Sequence, residues 1–146
     1  MTRAQCIVYR GNRILMVKHR MNDQEWWCLP GGGVKPGETA QEGALRELEE
    51  ECCVTGEIQR ETAHYDEGNS DDTITFLVEI GNQEPRMGVD PEFERENQIL
   101  ADMQWLTLAE IPERDRAYLW AAGLLSIPEF LEEISGWGDD LSYPTS

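Results

Sequence analysis

The chain has 146 residues, 40% of them hydrophobic, which is typical of one globular domain with its own core. Its 12 Lys and Arg against 29 Asp and Glu give a formal net charge of −17. Because so acidic a surface repels polyanions, the composition disfavours docking to nucleic acid or to an anionic membrane through a basic patch. An anionic ligand would have to be held by a metal ion or by a local group of arginines.

The cysteines indicate neither a zinc site nor a disulfide framework. Cys6, Cys28, Cys52 and Cys53 include no CxxC pair. No apolar run has the length of a signal peptide or of a membrane span. We therefore expect a cytoplasmic protein with reduced thiols.

The first part of the chain predicts a hairpin, a glycine-rich loop and the start of a helix. Residues 4–20 are apolar on both faces around the turn Gly11–Asn12, which predicts two strands inside a covered sheet. Residues 26–38, WWCLPGGGVKPGE, predict a short strand that leads into a glycine-rich loop. Thr39 and Glu42 form the T-x-x-E pattern of a capping box, so a helix is predicted to start at Thr39.

The predicted helix runs to about Cys52 and crowds glutamates near its C-terminal end. On a helical wheel with about 100° per residue, several of them share the flank beside the buried stripe. These are Glu47, Glu50 and Glu51. Half-buried like charges are costly unless a hard divalent cation such as Mg²⁺, whose ligands are oxygens, binds them. For the glutamates alone, a solvated acidic face is the alternative interpretation.

Further strands are predicted after the helix. Residues 54–65 and 73–80 predict two strands joined by the turn-rich segment 66–72. Residues 82–97 predict a polar surface loop. Residues 98–112 predict a strand followed by a short helical turn.

The C-terminal part predicts helices and a tail. An amphipathic helix is expected at 116–125, interrupted by Pro128, and the segment 135–146 is expected to be a flexible tail. We therefore predict a single domain over residues 1–134. Strands on both sides of a central helix, with helices at the end, predict an α/β or α+β sandwich.

The segment from Gly31 to Val54 resembles the Nudix box: G, five residues, E, seven residues and then REUxEExGU, with U aliphatic. The matching positions are Gly32, Glu38, Arg46, Glu47, Leu48, Glu50, Glu51 and Val54. Cys53 stands where the pattern has glycine. A side chain at a helix end with positive φ costs about 1–2 kcal/mol. We expect either that strain at Cys53 or a different exit, with the turn made by Gly56.

The resemblance implies an α/β/α sandwich around a mixed sheet. It also implies a hydrolase, dependent on Mg²⁺ or Mn²⁺, that acts on nucleoside diphosphates linked to another moiety. The metal ligands that it implies are the main-chain carbonyl of Gly31 and the carboxylates of Glu47, Glu50 and Glu51. Arg46 and Glu38 would orient the catalytic loop and helix through an ion pair.

The reaction also needs a general base, and the sequence leaves its identity open. Glu47 is the first candidate. The resemblance also allows a base on a downstream loop. The candidates there are Glu92, Glu94, Glu96 and Asp102.

Substrate contacts are predicted around the presumed cleft mouth, where His19, Trp26 and Trp27 lie. Trp26 is the better candidate for stacking on a base, because Trp27 is expected to pack in the core. Arg20 is a candidate for binding phosphates, with a surface salt bridge as the alternative interpretation.

The expected ligand is a small-molecule nucleotide, and homodimerisation is left open. Members of the family that cleave ADP-ribose carry a proline about sixteen residues after the box, and the corresponding HYDEGNSDD has none. A (deoxy)nucleoside triphosphate is therefore the first choice, in the manner of a MutT-like housekeeping enzyme. The alternatives are a nucleotide-sugar or other diphosphate, and a non-catalytic domain that only binds nucleotide.

Overall fold

The computed structural model describes residues 1–66, 71–88 and 99–137. The strands are β1 (Thr2–Ile7), β2 (Tyr9–Arg10), β3 (Arg13–Met21), β4 (Gln24–Cys28), β5 (Gly31–Gly33), β6 (Glu57–Asp66), β7 (Asp72–Glu79) and β8 (Ile99–Thr107). The helices are α1 (Ala40–Cys52), α2 (Glu113–Ala121) and α3 (Pro128–Ser135), with 3₁₀ turns at Leu108–Glu110 and Leu124–Ser126.

The strands form two sheets. The first has the order β5-β1-β7-β6, in which β1 and β7 are parallel and the other neighbours antiparallel. In the second, β2, β4 and β8 all pair antiparallel with β3. The mixed sheet confirms the predicted α/β class.

Two hydrophobic clusters fill the space between these sheets and the helices. Leu15 and Val17 of β3 pack with Leu48 of α1, whereas Ile14 and Met16 belong to a cluster with residues of α2 and α3. Successive side chains of a strand point to opposite faces. The helices therefore cover both faces of β3, which explains why this strand is apolar on both sides. The other strand of the predicted hairpin is divided: β1 pairs with β5 and β7 in the first sheet, and only the short β2 pairs with β3.

The C-terminal helices differ from the prediction in their bounds. α2 covers Glu113–Ala121 and not 116–125, because Gly123 adopts φ +85° just after the helix and ends it. Pro128 opens α3 at a position where its missing N–H costs nothing. Trp137 still packs against the second cluster, although the tail was predicted from residue 135; residues 138–146 lie outside the described part. In the described segments, the helices are too short or too polar to cross a membrane.

α1 starts and ends in different ways. Thr39 and Glu42 form the predicted capping box. At the other end Cys53 adopts φ 57° and ψ 36°, and its N–H donates to the Glu49 carbonyl at 2.9 Å. Of the two exits left open, the chain takes the one that strains Cys53. Gly56 serves packing instead, since a methyl group there would collide with Val78.

We predict that replacing Cys53 by glycine raises the free energy of unfolding by about 1 kcal/mol, because glycine adopts positive φ without the steric cost. Cys53 is exposed, so little packing is lost. Urea denaturation followed by tryptophan fluorescence measures the effect. Cys53→Ala is the matched control, because it removes the thiol and keeps the Cβ. Equal stabilisation by both variants would contradict the strain.

Candidate active site

The glycines of β5 allow close contacts on two sides. β5 pairs with β1, and a methyl group at Gly31 would lie 2.5 Å from the Ala4 carbonyl oxygen. A methyl group at Gly32 would lie 2.6 Å from both Cδ and Oε1 of Glu47. The glycines are therefore needed for β5 to lie directly against β1 and against a carboxylate of α1.

Arg46 on α1 joins the glycine-rich segment to the glutamates. Its Nε and Nη2 donate to the two carboxylate oxygens of Glu38 at 2.8 and 3.1 Å, and Nη2 also donates to the Gly33 carbonyl at 2.9 Å. Its Nη1 donates to Glu47 Oε1 at 3.0 Å and to Glu50 Oε2 at 3.2 Å. A planar guanidinium can make this set of charge-assisted bonds and a lysine cannot. These are the contacts that the predicted orienting role of Arg46 and Glu38 requires; the role itself stays a prediction.

The ion pair of Glu38 and Arg46 changes the acidity of both groups. The Arg46 guanidinium holds the pKa of Glu38 below its ordinary value, and the Lys35 N–H, which donates to Glu38 Oε1 at 3.0 Å, acts in the same direction. Glu38 in turn raises the pKa of Arg46. Both groups are therefore charged across the neutral pH range. Gly43 leaves room for this pair, since a methyl group there would lie 3.0 Å from Glu38 Oε1.

Glu51 is fully buried between β5 and β3. Its Oε1 accepts a hydrogen bond from the Gly31 N–H at 2.8 Å, and its Oε2 lies 3.3 Å from Nε2 of His19. His19 is only 4% exposed, and Sγ of Cys28 lies 3.7 Å from its Nδ1. The structure thus brings together Gly31 and Glu51, two of the predicted metal ligands. It also gives His19 a contact with Glu51 that the sequence did not predict.

The donor atoms on this flank fit a hard divalent cation in their chemistry, because they are carboxylate and main-chain oxygens. Glu50 is the most accessible of the three carboxylates at 28% side-chain exposure, whereas Glu47 and Glu51 are at 0%. In the described ranges, no group of three or more His, Cys, Asp and Glu side chains is already arranged around one point. A bound cation would therefore share these oxygens with Arg46, and Glu50 would be its outermost ligand.

The candidate general bases differ in their surroundings. Glu47 is buried against Gly32 and accepts a hydrogen bond from Arg46. Asp102 lies on β8 and accepts a hydrogen bond from the N–H of Met103 at 2.8 Å. Glu92, Glu94 and Glu96 lie outside the described residues. The choice of base stays a prediction.

A cavity of about 360 Å³ opens between β1, β4, β6, β7 and α2. Part of its lining, Met16, Leu29 and Leu119, belongs to the second hydrophobic cluster, so the cavity lies on the α2 side of the sheets. Aromatic and cationic side chains complete the lining. They are Trp26, Trp27, Tyr65, Tyr118, Arg3 and Arg114. An aromatic cavity with a few polar groups is typical of a small-molecule site.

A continuous set of contacts connects this cavity with the glutamates. Trp26 and Cys28 line the cavity and also contact His19. The ring centroids of Trp26 and His19 are 5.8 Å apart, in an edge-to-face arrangement. His19 in turn contacts Glu51. Glu51 is a predicted metal ligand. A molecule in the cavity that contacts Trp26 or Cys28 would therefore be connected with Glu51 through His19.

The predicted substrate residues lie at or beside the cavity. Trp26 lines it, and so does Trp27, which was expected in the core and also packs against the second cluster. Nε and Nη2 of Arg20 donate to Glu25 Oε1 at 2.8 and 2.7 Å, and Glu25 lines the cavity. Arg20 is thus engaged in a surface ion pair, and its contact with phosphates stays a prediction.

Several lining residues were not predicted, among them Arg3 and Asp115. Asp115 on α2 is 2% exposed and accepts hydrogen bonds from the Trp27 N–H at 2.9 Å and from Arg114 Nε at 3.1 Å. It joins α2 to β4 and thereby shapes the cavity. In the sequence, Arg3 and Asp115 are charged residues that belong to no recognisable motif. Only the pairing of distant strands and the packing of α2 show that they share a cavity.

The fold and the site define a Nudix-type protein. The model of the family described as NUDIX domain matches residues 1–126. The chain therefore belongs to the NUDIX family. This confirms the resemblance drawn from the box.

Similar curated proteins have different printed activities. The chain is 56% identical over 32 residues to "RNA pyrophosphohydrolase" of Erythrobacter litoralis. The matched segment is 22% of this chain and 20% of the relative. It is 29% identical over 90 residues to "ADP-ribose pyrophosphatase" of Methanocaldococcus jannaschii. Here the matched segment is 58% of this chain and 53% of the relative. The matches thus span about half or less of these relatives.

Among solved structures, a NUDIX hydrolase from Nitrosomonas europaea has a TM-score of 0.64 at 24% identity. The match covers 78% of this chain and 61% of that one. At this identity the likeness shows the fold alone.

We predict that Gly32→Ala lowers the free energy of unfolding by about 1–3 kcal/mol, because the added methyl group overlaps the buried Glu47 carboxylate. Gly33→Ala is the matched control: its methyl group would meet only the flexible end of Met1, at 3.3 Å. We expect a change within about 0.5 kcal/mol for the control. Chemical denaturation of both variants measures the difference. Equal stabilities would show that Glu47 does not need the space at Gly32.

We predict that Glu38→Gln destabilises the protein by about 1–2 kcal/mol at neutral pH, because it removes the charged partner of Arg46. Folding lowers the pKa of Glu38 from its ordinary value of 4.5. The ionised carboxylate therefore contributes to the free energy of unfolding at pH values above 4.5, and this contribution is lost as the pH falls through the lower pKa of the folded state. The difference between wild type and Glu38→Gln should therefore shrink below that pH. Denaturation curves over a pH series check this, with exposed Glu49→Gln as the control. A difference that does not depend on pH would contradict the ion pair.

Proposed function

We propose that the protein is a metal-dependent hydrolase that cleaves the pyrophosphate linkage of a nucleoside diphosphate derivative, in the first place a (deoxy)nucleoside triphosphate. One arrangement carries the proposal: Glu47, Glu50 and Glu51 lie along one part of α1, next to the glycine strand that Arg46 holds in place. Membership of the NUDIX family supports it, because the matched relatives are named as a pyrophosphohydrolase and a pyrophosphatase.

The residues of this site have distinct roles in the proposed reaction. Glu50, Glu51, Glu47 and the carbonyl of Gly31 would hold Mg²⁺ or Mn²⁺. When bound, such an ion neutralises negative charge that develops on the phosphate oxygens and lowers the pKa of a water molecule. Arg46 and Glu38 keep the glycine strand and α1 in a fixed relation. A chain with net charge −17 needs this local cation to accept a polyphosphate.

A carboxylate has to take the proton of the attacking water. Glu47 is our first candidate; it lies buried against the glycine strand and accepts a hydrogen bond from Arg46. Asp102 and the glutamates at 92, 94 and 96 are the alternatives. Substitution of each by the corresponding amide, with kcat and KM measured separately, would identify the base.

The cavity supports the choice of a small nucleotide. Its volume of about 360 Å³ lies near the lower end of the usual range for ligand pockets, about 300–1,000 Å³. This suits one nucleoside better than two linked nucleosides. Trp26 would stack on the base, and Arg20 would contact phosphates if it exchanged Glu25 for the substrate. The same proposal places the protein in the cytoplasm, where such nucleotides occur.

A nucleotide-sugar or another diphosphate is the second candidate. The similarity to the Methanocaldococcus jannaschii protein named ADP-ribose pyrophosphatase favours it. A domain that only binds nucleotide fits less well, since the three box glutamates, Glu47, Glu50 and Glu51, are all present.

We predict that the purified protein with Mg²⁺ or Mn²⁺ hydrolyses nucleoside triphosphates faster than ADP-ribose, nucleotide-sugars or dinucleoside polyphosphates. Released phosphate and pyrophosphate are measured for each compound. Chelation of the metal should abolish the activity. If none of these compounds were hydrolysed, the enzymatic proposal would be wrong.

Glu50→Gln tests the role of the flank directly. Because Glu50 is partly exposed, the variant should fold normally and lose at least about 100-fold in kcat, on the order of the loss of a key electrostatic group. Glu49→Gln is the matched control, as its side chain is exposed on the same helix. Near-normal turnover of Glu50→Gln would refute the ligand role of Glu50.

A further inference from the structure

Arg3 is a cation that the fold places in the cavity and leaves without a protein partner in the described residues. It lies on β1, is exposed, and lines the cavity. The described residues provide it with neither a hydrogen bond nor an ion pair. Arg114, the other arginine of the lining, is engaged: it donates to Asp115 and to the carbonyl of Glu25. In a chain with 29 acidic residues, an arginine that lines a cavity and is not paired with a carboxylate of the described residues is available to a ligand.

The sheet places Arg3 beside a polar and an aromatic neighbour in the cavity lining. Arg3 is paired with Thr73 of β7, and Thr73 is paired with Tyr65 of β6, so the three form a row across three strands. Side chains paired in this way lie on the same face as close neighbours. All three line the cavity. The row thus combines a planar donor group, a hydroxyl and an aromatic ring.

Further aromatic side chains line the cavity. They are Trp27 of β4 and Tyr118 of α2. Aromatic walls around a cavity of about 360 Å³ fit a planar ring system, which gains stacking energy on any π-face. Stacking does not distinguish one base from another, so discrimination has to come from the polar groups.

We propose that Arg3 is a specificity-determining residue that donates two hydrogen bonds to adjacent acceptors on a purine, so that the cavity selects 6-oxopurine nucleotides over 6-aminopurine nucleotides. The proposal rests on the proposed function, in which the cavity holds the nucleoside part of the substrate. A guanidinium has donors only and presents them in a fork. The O6 and N7 atoms of guanine are two acceptors that match this fork, whereas adenine presents an N6 donor beside N7.

Binding of nucleoside monophosphates tests this without any turnover. Calorimetric titration of the whole protein in buffer with Mg²⁺ gives the Kd of GMP, IMP and AMP. IMP has O6 and N7 but lacks the 2-amino group, so it isolates the edge that Arg3 would contact. We expect similar Kd values for GMP and IMP, and a Kd about tenfold or more higher for AMP.

Arg3→Met should raise the Kd of GMP and IMP to about that of AMP and leave AMP nearly unchanged. Arg13→Met is the matched control, because it removes one surface arginine, paired with Glu110, outside the cavity lining. It should keep the selectivity. Circular dichroism of the variants verifies their fold.

Several outcomes would overturn the proposal. Equal affinities of the wild type for the three nucleotides would do so, as would selectivity retained in Arg3→Met or no measurable binding of any of them. If Arg3→Met weakened all three and ribose 5-phosphate to the same extent, Arg3 would hold the phosphate and not the base. None of these results depends on hydrolysis, so the proposed activity is judged separately by the substrate screen.

Discussion

The arrangement of the site depends on the guanidinium of Arg46. Its donors join Glu38 and Gly33 of the glycine-rich segment to Glu47 and Glu50 of α1. Without this cation, like charges would crowd one helix flank beside the core. With it, carboxylates that repel one another become acceptors of one rigid donor group. The glycines complete the arrangement by letting the backbone of β5 lie against the same carboxylates.

The sequence predicted the parts of the fold that depend on local patterns. Alternation predicted the strand β3 but missed that the chain before it is divided between two sheets. The capping box predicted the start of α1, and the helical wheel placed Glu47, Glu50 and Glu51 on one flank. The resemblance to the box implied the ion pair of Glu38 and Arg46. The pattern could not predict which carboxylates are buried, because burial of Glu51 depends on His19 and Gly31 from distant strands.

The cavity was the less predictable half of the site. Arg3, Tyr65 and Asp115 meet only through the pairing of β1, β7 and β6 and the packing of α2, and no local pattern encodes such contacts. The bounds of α2 were missed for a related reason. The positive φ of Gly123 ends that helix, while composition alone let the apolar pattern continue to residue 125.

The two hydrophobic clusters lie on opposite faces of β3, one with α1 and the other with α2 and α3. Mutations that reshape the α2 face can therefore accumulate without disturbing the packing beneath the glutamates. Such a division allows the ligand specificity of the cavity to change in evolution while the glutamates of α1 keep their surroundings. His19 contacts both Trp26 of the cavity and Glu51 of α1, so a substitution there should affect both faces.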